Sequence, residues 1–460
     1  MRISRILHAG YVFESESSGD ATASSKASIA FDPVFTNPFS RNCFALPSAS
    51  FDEDAIRALD FSAVFISHFH EDHFCLESLN FLDRRTPIYL YSSHDSLFAM
   101  IRDLGFRTVA PLLLDEAVNV GPFRVTPRLA LDPDVDTAFE IEAEGLRILN
   151  VVDAWLDPTT VEHLERKAPW DLVLWPFQTL RELEVLSPSR ALPASGEIPH
   201  EWIEQLKALQ PRFVVPSSCQ FTHEEWSWYN TSLFPISYAG FTAQVNQAIP
   251  SCNVQRLEPS VSFMLDRDSI CKAEPLEWIH PVGPQILDYH YRPNVEAPST
   301  AQIASNFAPL RDEQTERVLN YCRAEIPDRY ESGGPANDSY FNKARKWRLS
   351  LYDHRGQQTN FDYIINEGRI SAATNDDKTP VGWLTEIPIA KFLAALDEGE
   401  SLTSMYVRIN DTVFEASIEA EIKSVDNLED PLLRCLFNGV VGAYQAAQLA
   451  RILKLGSHTP

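Results

Sequence analysis

Ala63-Val64-Phe65-Ile66-Ser67-His68-Phe69-His70-Glu71-Asp72-His73 is the stretch that decides the fold. Its first half is apolar at successive positions, so both faces of the strand need cover and the strand belongs inside a sheet flanked by other layers. Its second half leaves that strand as a loop carrying three imidazoles and the Asp72 carboxylate within six residues. Neutral ring nitrogens and anionic oxygens are the donors that zinc, iron and manganese take. The spacing sorts them: His68 and His70 alternate and can reach one ion, whereas Asp72 and His73, past a turn, can reach a second. In a chain with 12 histidines, a chance H-x-H-x-D-H arises on the order of once in a few thousand sequences. Ends of buried strands are also where layered α/β proteins bind their ligands.

Working outward, residues 2–265 alternate β-branched runs with amphipathic stretches and turn clusters, the pattern of an α/β fold. Strands are expected at 10–15, 27–32, 61–67, 87–91, 123–129, 137–143, 146–152, 171–176, 212–216 and 260–265, and helices at 52–59, 94–104, 159–167 and 199–209. A second strand apolar on both faces, Ile148-Leu149-Asn150-Val151-Val152, ends in Asp153, whose carboxylate is expected to point into the cleft. Residues 271–311 turn irregular and proline-rich, the mark of a connecting segment. Beyond them a helix near 311–325, strands at 347–352, 402–409 and 412–422, a hairpin at 363–370 around Asn366-Glu367-Gly368, and helices at 387–398 and 430–454 make a small α+β unit without a visible catalytic motif. The expected organisation is 1–268, catalytic; 269–310, connecting; and 311–460, C-terminal domain.

Length and charge narrow the function. At 460 residues the chain exceeds one ordinary hydrophobic core, which favours two domains. A formal charge of -25 repels phosphate backbones and anionic membrane surfaces, so nucleic acid is not an expected partner. The start Met-Arg-Ile-Ser-Arg-Ile-Leu-His carries no apolar signal region, no later apolar run is long enough to span a bilayer, and the expected location is cytoplasmic without membrane insertion. Seven scattered cysteines (43, 75, 219, 252, 271, 322 and 435) never form a C-x-x-C pair, which fits reduced thiols.

The motif resembles the HxHxDH signature of the metallo-β-lactamase superfamily, matched by His68, His70, Asp72 and His73. The resemblance implies an αββα sandwich with a one- or two-metal site at one sheet edge, followed here by the smaller α+β C-terminal domain. His8-Ala9-Gly10 and Ile29-Ala30-Phe31-Asp32-Pro33 look like the family's start, in which the aspartate, here Asp32, buttresses the metal loop. The pair 136–142 and 145–153 looks like the later strands whose terminal aspartate, here Asp153, bridges two ions. Two departures stand out. Residues 74–152 contain only His94, within a predicted helix, so the usual intermediate histidine is missing. The late strand runs Arg212-Phe213-Val214-Val215-Pro216-Ser217-Ser218 without a histidine directly after the proline, which leaves His223, or His200, as a displaced substitute.

These departures resemble the branch that includes the lactamase-like domain of CMP-sialic acid hydroxylase and its bacterial relatives, over roughly residues 1–265. That hydroxylase also has a Rieske domain, whose paired Cys-x-His and Cys-x-x-His ligands are not found here. In the C-terminal domain, Ile387–Leu396 followed by Ser401–Arg408 is similar to sterol-carrier-protein-like modules, which implies an apolar-ligand pocket or a homodimer surface; a plain capping domain is the alternative.

Three functions compete. A metal-dependent hydrolase would use two divalent ions, zinc first, on His68, His70, Asp72, His73, Asp153 and His223, with Asp72 or Asp153 handling the proton of an activated water. A non-haem diiron oxygenase would use the same ligands with iron and a separate reductase. A non-enzymatic metal- or ligand-binding protein is the third. The hydrolase is favoured, with a small organic substrate, because that chemistry is commonest on the fold.

Overall fold

The computed structural model describes residues 1–16, 26–218, 221–292, 296–333, 339–374, 376–424 and 429–456. Cys219 and part of the proline-rich 271–311 segment lie outside them. Two large sheets form the body. The first runs in the order Ile270–Ala273, Ser262–Leu265, Arg2–Arg5, Tyr11–Glu16, Lys26–Phe31, Ala63–Ile66, Ile88–Leu90, Val109–Pro111. The second runs Asn253–Val254, Phe213–Ser217, Leu172–Pro176, Leu146–Asn150, Thr137–Ala143, Phe123–Leu129, Val118–Val120.

The period-2 alternation of each strand decides which layer each side chain joins. Ala63 and Phe65 turn inward with Phe13, Phe31, Phe139, Ile148 and Leu174 to make the core between the sheets. Val64 and Ile66 turn outward onto Ile56, Leu79, Leu97 and Ile101, which belong to the helices that cover the first sheet or to their ends. On the second sheet Leu149, Val173 and Val214 turn outward onto Leu164, Leu206, Phe241 and Val245 of the helices Pro158–Glu165, His200–Leu209 and Tyr238–Ala248. The result is four layers, helix, sheet, sheet and helix, in which each fully buried large apolar side chain contributes about 1.5–3 kcal/mol.

A third sheet, Arg369–Ala372, Gln358–Asn366, Arg345–Tyr352, Val381–Pro388 and Arg408–Ile409, carries its own core around Trp347, Trp383, Tyr363 and Phe392. The 402–409 strand is corrected to a short helix, Leu402–Met405, ahead of a two-residue strand, because Ser401 and Thr403 spend their hydroxyls on Glu71 rather than on a β-ladder. The 412–422 strand is instead the helix Ala416–Lys423, in which Ile418 and Ile422 share one face. The single helix at 430–454 is two, Pro431–Phe437 and Ala443–Gly456, separated by Gly439 and Gly442, both at positive φ. The second of these packs back onto Leu76–Leu79 and Asp95–Asp103, placing Leu449 in the core of the first sheet's outer face. The proline-rich segment is more structured than its composition suggests: Ile270–Ala273 edges the first sheet and Ile279–Pro281 pairs with Ala49–Phe51.

Candidate metal centre

Lys26–Phe31 and Ala63–Ile66 lie side by side and parallel, so their C-terminal ends open on the same edge. Asp32 leaves the first and Ser67 the second. The Asp32 backbone takes a left-handed turn (φ 40°), which Asp tolerates better than most residues, and its N–H donates to Phe65 O at 2.9 Å. The nearly fully buried carboxylate then gathers the loop: Oδ1 accepts from Ser67 N–H (2.7 Å), and Oδ2 accepts from the Ser67 hydroxyl (2.7 Å) and from His73 Nδ1–H (3.0 Å). Ser67 Oγ, its proton given to Asp32, is left to accept His68 Nδ1–H at 2.8 Å. Both buried imidazoles are thereby locked with Nδ1 protonated and Nε2 turned to the cleft.

Around those nitrogens stand two groups of donor atoms. His8, Asp72, His73 and Asp153 form one, and His68, His70 and Asp136 the other, the atoms within each lying within 4.8 Å of one another. In the first, His73 Nε2 is 3.0 Å from Asp153 Oδ2 and 3.1 Å from His8 Nε2, and His8 Nε2 is 3.1 Å from Asp72 Oδ2. In the second, His68 Nε2 is 3.8 Å from Asp136 Oδ1. Asp153 faces both, with its other oxygen 3.9 Å from His68 Nε2. His70 is exposed, while His8, His68 and His73 are buried.

Sequence reasoning did not place His8 and Asp136 among the ligands. His8 sits at the tip of the hairpin Arg2–Arg5/Tyr11–Glu16 at positive φ, and the buried Arg5 guanidinium bonds its carbonyl and those of Pro216 and Leu257. Asp136 precedes the strand Thr137–Ala143, which pairs antiparallel with Leu146–Asn150 as far as Phe139↔Asn150; beyond that last pair Asp136 and Asp153 leave the same end of the hairpin, both near His68 Nε2. The signal was in the hairpin itself.

His223 joins neither group. It is buried with its ring against Phe221 and Tyr229, and burial, opposed by the Asn42 backbone, pushes its pKa down to about 3. The unfolded chain therefore takes up the proton first as pH falls from about 6.5, and stability present at neutral pH is lost toward pH 3 at up to about 1.4 kcal/mol per pH unit. His223→Gln is expected to remove this component: between pH 7 and 5, denaturant titrations should show about 2 kcal/mol less loss for the variant than for the wild type. Parallel profiles would rule this out. His200 opens a helix in solvent, and His94 precedes one and packs edge-on to Phe69. Of the aromatic residues near the motif, Phe74, Trp175 and Trp228 are core, and Trp155 stacks on Trp202 at 4.4 Å.

The donor set fits a cation. His68 Nε2 and Asp136 Oδ1 are buried without a hydrogen-bond partner and face one another. His73 Nε2 and Asp153 Oδ2 stand 3.0 Å apart, a distance that calls for positive charge between them, supplied by an Nε2 proton that donates to Asp153 or, in its place, by a cation. Electrostatics point the same way. Burial would lower the His73 pKa, yet the charges of Asp153 and Asp72 and hydrogen bonds to Asp153 and Asp32 hold it well above the ordinary value. Asp136 is pushed up to about 7 by burial and then by the Asp153 charge. His68, by burial and the neighbouring His73 and His70, is held well below its usual range, leaving its nitrogen free to ligate. Divalent ions on these donors would neutralise the carboxylates that otherwise oppose one another.

No known protein-family model matches the chain. It is 29% identical over 139 residues to cytidine monophosphate-N-acetylneuraminic acid hydroxylase of Danio rerio, a match spanning 27% of this chain and 22% of that protein's length. Among solved structures it is similar to Igni18, a metallo hydrolase from Ignicoccus hospitalis (20% identity, 58% of this chain, 99% of that chain, TM-score 0.38). It is also similar to CmlA, a diiron β-hydroxylase from Streptomyces venezuelae (14% identity, 59% of this chain, 54% of that chain, TM-score 0.37). The four layers, helix, sheet, sheet and helix, with the histidine loop at the C-terminal ends of two parallel strands, match the αββα sandwich that the H-x-H-x-D-H resemblance implies. Among the described residues no helix is long and apolar enough to cross a membrane.

Proposed function

We propose that the chain is a two-metal hydrolase acting on a small organic substrate. The observation that carries this reading is the pair of adjoining donor groups, His8/Asp72/His73/Asp153 and His68/His70/Asp136, with Asp153 facing both. Divalent ions bound there supply a water acidified toward pKa 7 and polarise the scissile carbonyl or phosphoryl oxygen. The protein's part is positional and protonic. Asp32 and Ser67 set the two imidazole tautomers, and the buried walls keep bulk water off the inner donors. Asp72 and Asp153, whose side chains are 24% and 21% exposed, line the open side where substrate approaches and are the carboxylates assigned to hold and release the proton.

A second reading, a diiron oxygenase with a separate reductase, is favoured by one feature. Three carboxylates stand beside four imidazoles, and such a mixed imidazole–carboxylate set suits iron. The hydroxylase name of the Danio rerio relative agrees with it.

Metal analysis of protein grown with both zinc and iron separates the two. About two zinc ions per chain supports the hydrolase, and iron together with substrate-dependent oxygen uptake supports the oxygenase. Neither metal overturns both. Because His8 and Asp136 belong to different groups, His8→Ala and Asp136→Ala should each lower the count from about two to about one, and the double variant should hold almost none. Single variants that keep full occupancy would remove these two residues from the ligand set.

A further inference from the structure

The terminal helix Ala443–Gly456 carries two buried glutamines, Gln445 and Gln448, that face the metal loop and its sequel. The Gln445 side-chain amide donates one N–H to Phe69 O (2.8 Å) and the other to Phe74 O (2.9 Å). Between those carbonyls lie His70, Asp72 and His73, and His68 immediately precedes them. A primary amide presents its two N–H bonds at a fixed angle, so one side chain sets the separation of the two ends of the loop. Inside the loop, His73 and Phe74 N–H close a turn onto His70 O at 3.1 and 2.8 Å. A third hold comes from Ser401 and Thr403, whose hydroxyls donate to Glu71 Oε1 at the loop's centre. Gln448 makes a contrasting pair of contacts just outside the loop, accepting from Leu76 N–H (2.8 Å) and donating to Cys75 Sγ (3.3 Å).

We propose that Gln445 is a positioning residue of the metal centre: by clamping the carbonyls of Phe69 and Phe74 it holds His70, Asp72 and His73 in their ligating geometry, making the terminal helix part of the site's support. This rests on the two-metal reading above. A buried amide whose donors had no task would be costly to keep, and here both go to the backbone of the ligand loop rather than to the helix's own neighbours. The contact joins segments some 370 residues apart, so it exists only when the C-terminal helix is docked.

The test compares two variants of the full chain, Gln445→Met and Gln448→Met, each keeping side-chain volume and losing the amide. The readouts are the Co2+ dissociation constant by chelator competition, the visible spectrum of the Co2+ protein, and the melting temperature of the metal-free protein. Gln445→Met is expected to weaken Co2+ binding about 10–100-fold and to shift the ligand-field bands. Gln448→Met is expected to lower the melting temperature while binding Co2+ within about 3-fold of wild type, with an unchanged spectrum. Wild-type affinity and spectrum in Gln445→Met, or equal loss in both variants, would overturn the proposal while leaving the metal reading intact. A wild-type chain that binds no Co2+ overturns both.

Discussion

Asp32→Ala is expected to cost about 3–5 kcal/mol of folding stability in the metal-free protein, and to weaken metal binding about 10–100-fold in addition. The stability loss has three sources at one carboxylate. Ser67 N–H, the Ser67 hydroxyl and His73 Nδ1–H would all lose their acceptor in a buried place, each an unpaired donor of the kind that costs about 1–3 kcal/mol. The protonated His73 would also lose one of the hydrogen bonds that keep its charge tolerable there. Alanine adds backbone strain at φ 40°, which asparagine does not, so Asp32→Asn isolates the loss of the carboxylate and should fall between wild type and Asp32→Ala. Urea titration of the metal-free proteins and chelator competition on the loaded ones measure the two effects separately. A loss below about 1 kcal/mol for Asp32→Ala would mean that the loop holds its shape without this carboxylate.

The legible parts of this molecule are those fixed by short-range pattern. The runs Ala63–Ser67 and Ile148–Val152, apolar on both faces, called for inner strands of covered sheets, and the strands found there, Ala63–Ile66 and Leu146–Asn150, are inner strands. The H-x-H-x-D-H spacing was legible because it needs no partner from elsewhere in the chain. Asp136 was harder, because its nearness to Asp153 follows only from a hairpin register, fixed here by the two-residue Glu144-Gly145 turn with both residues at positive φ. His8 was harder still. It reaches the cleft because Arg5 pins its carbonyl to the ends of two distant segments, at Pro216 and Leu257, and no local pattern announces that. The C-terminal strand expected at 402–409 failed for the complementary reason: Ser401 and Thr403 answer to Glu71, more than 300 residues away, so tertiary demand overrode the local β-propensity, whereas at 412–422 the helical spacing of Ile418 and Ile422 prevailed.

His73→Ala should have the largest effect on the metal centre itself. His73 Nε2 lies within 3.1 Å of both His8 Nε2 and Asp153 Oδ2, while Nδ1 is tied to Asp32, so one substitution removes a donor, unbalances Asp153 and strands the Asp32 carboxylate. The expected result is a fall from about two ions per chain to about one. Once a substrate is in hand, a loss of turnover on the order of 10³-fold should accompany it, since several kcal/mol of charge stabilisation depends on the ion held there. His70→Ala, in the exposed part of the other group, should lose an ion with far less effect on stability, because no buried partner is stranded. The link between His73 and Asp32 can be weighed in a double-mutant cycle. If Asp32 acts on the metal through the His73 ring, Asp32→Asn should weaken metal binding in the wild type and add almost nothing in His73→Ala, a coupling of about 1–3 kcal/mol. Additive effects would show that Asp32 works on the loop backbone through Ser67 alone, and that the His73 tautomer is set by other neighbours.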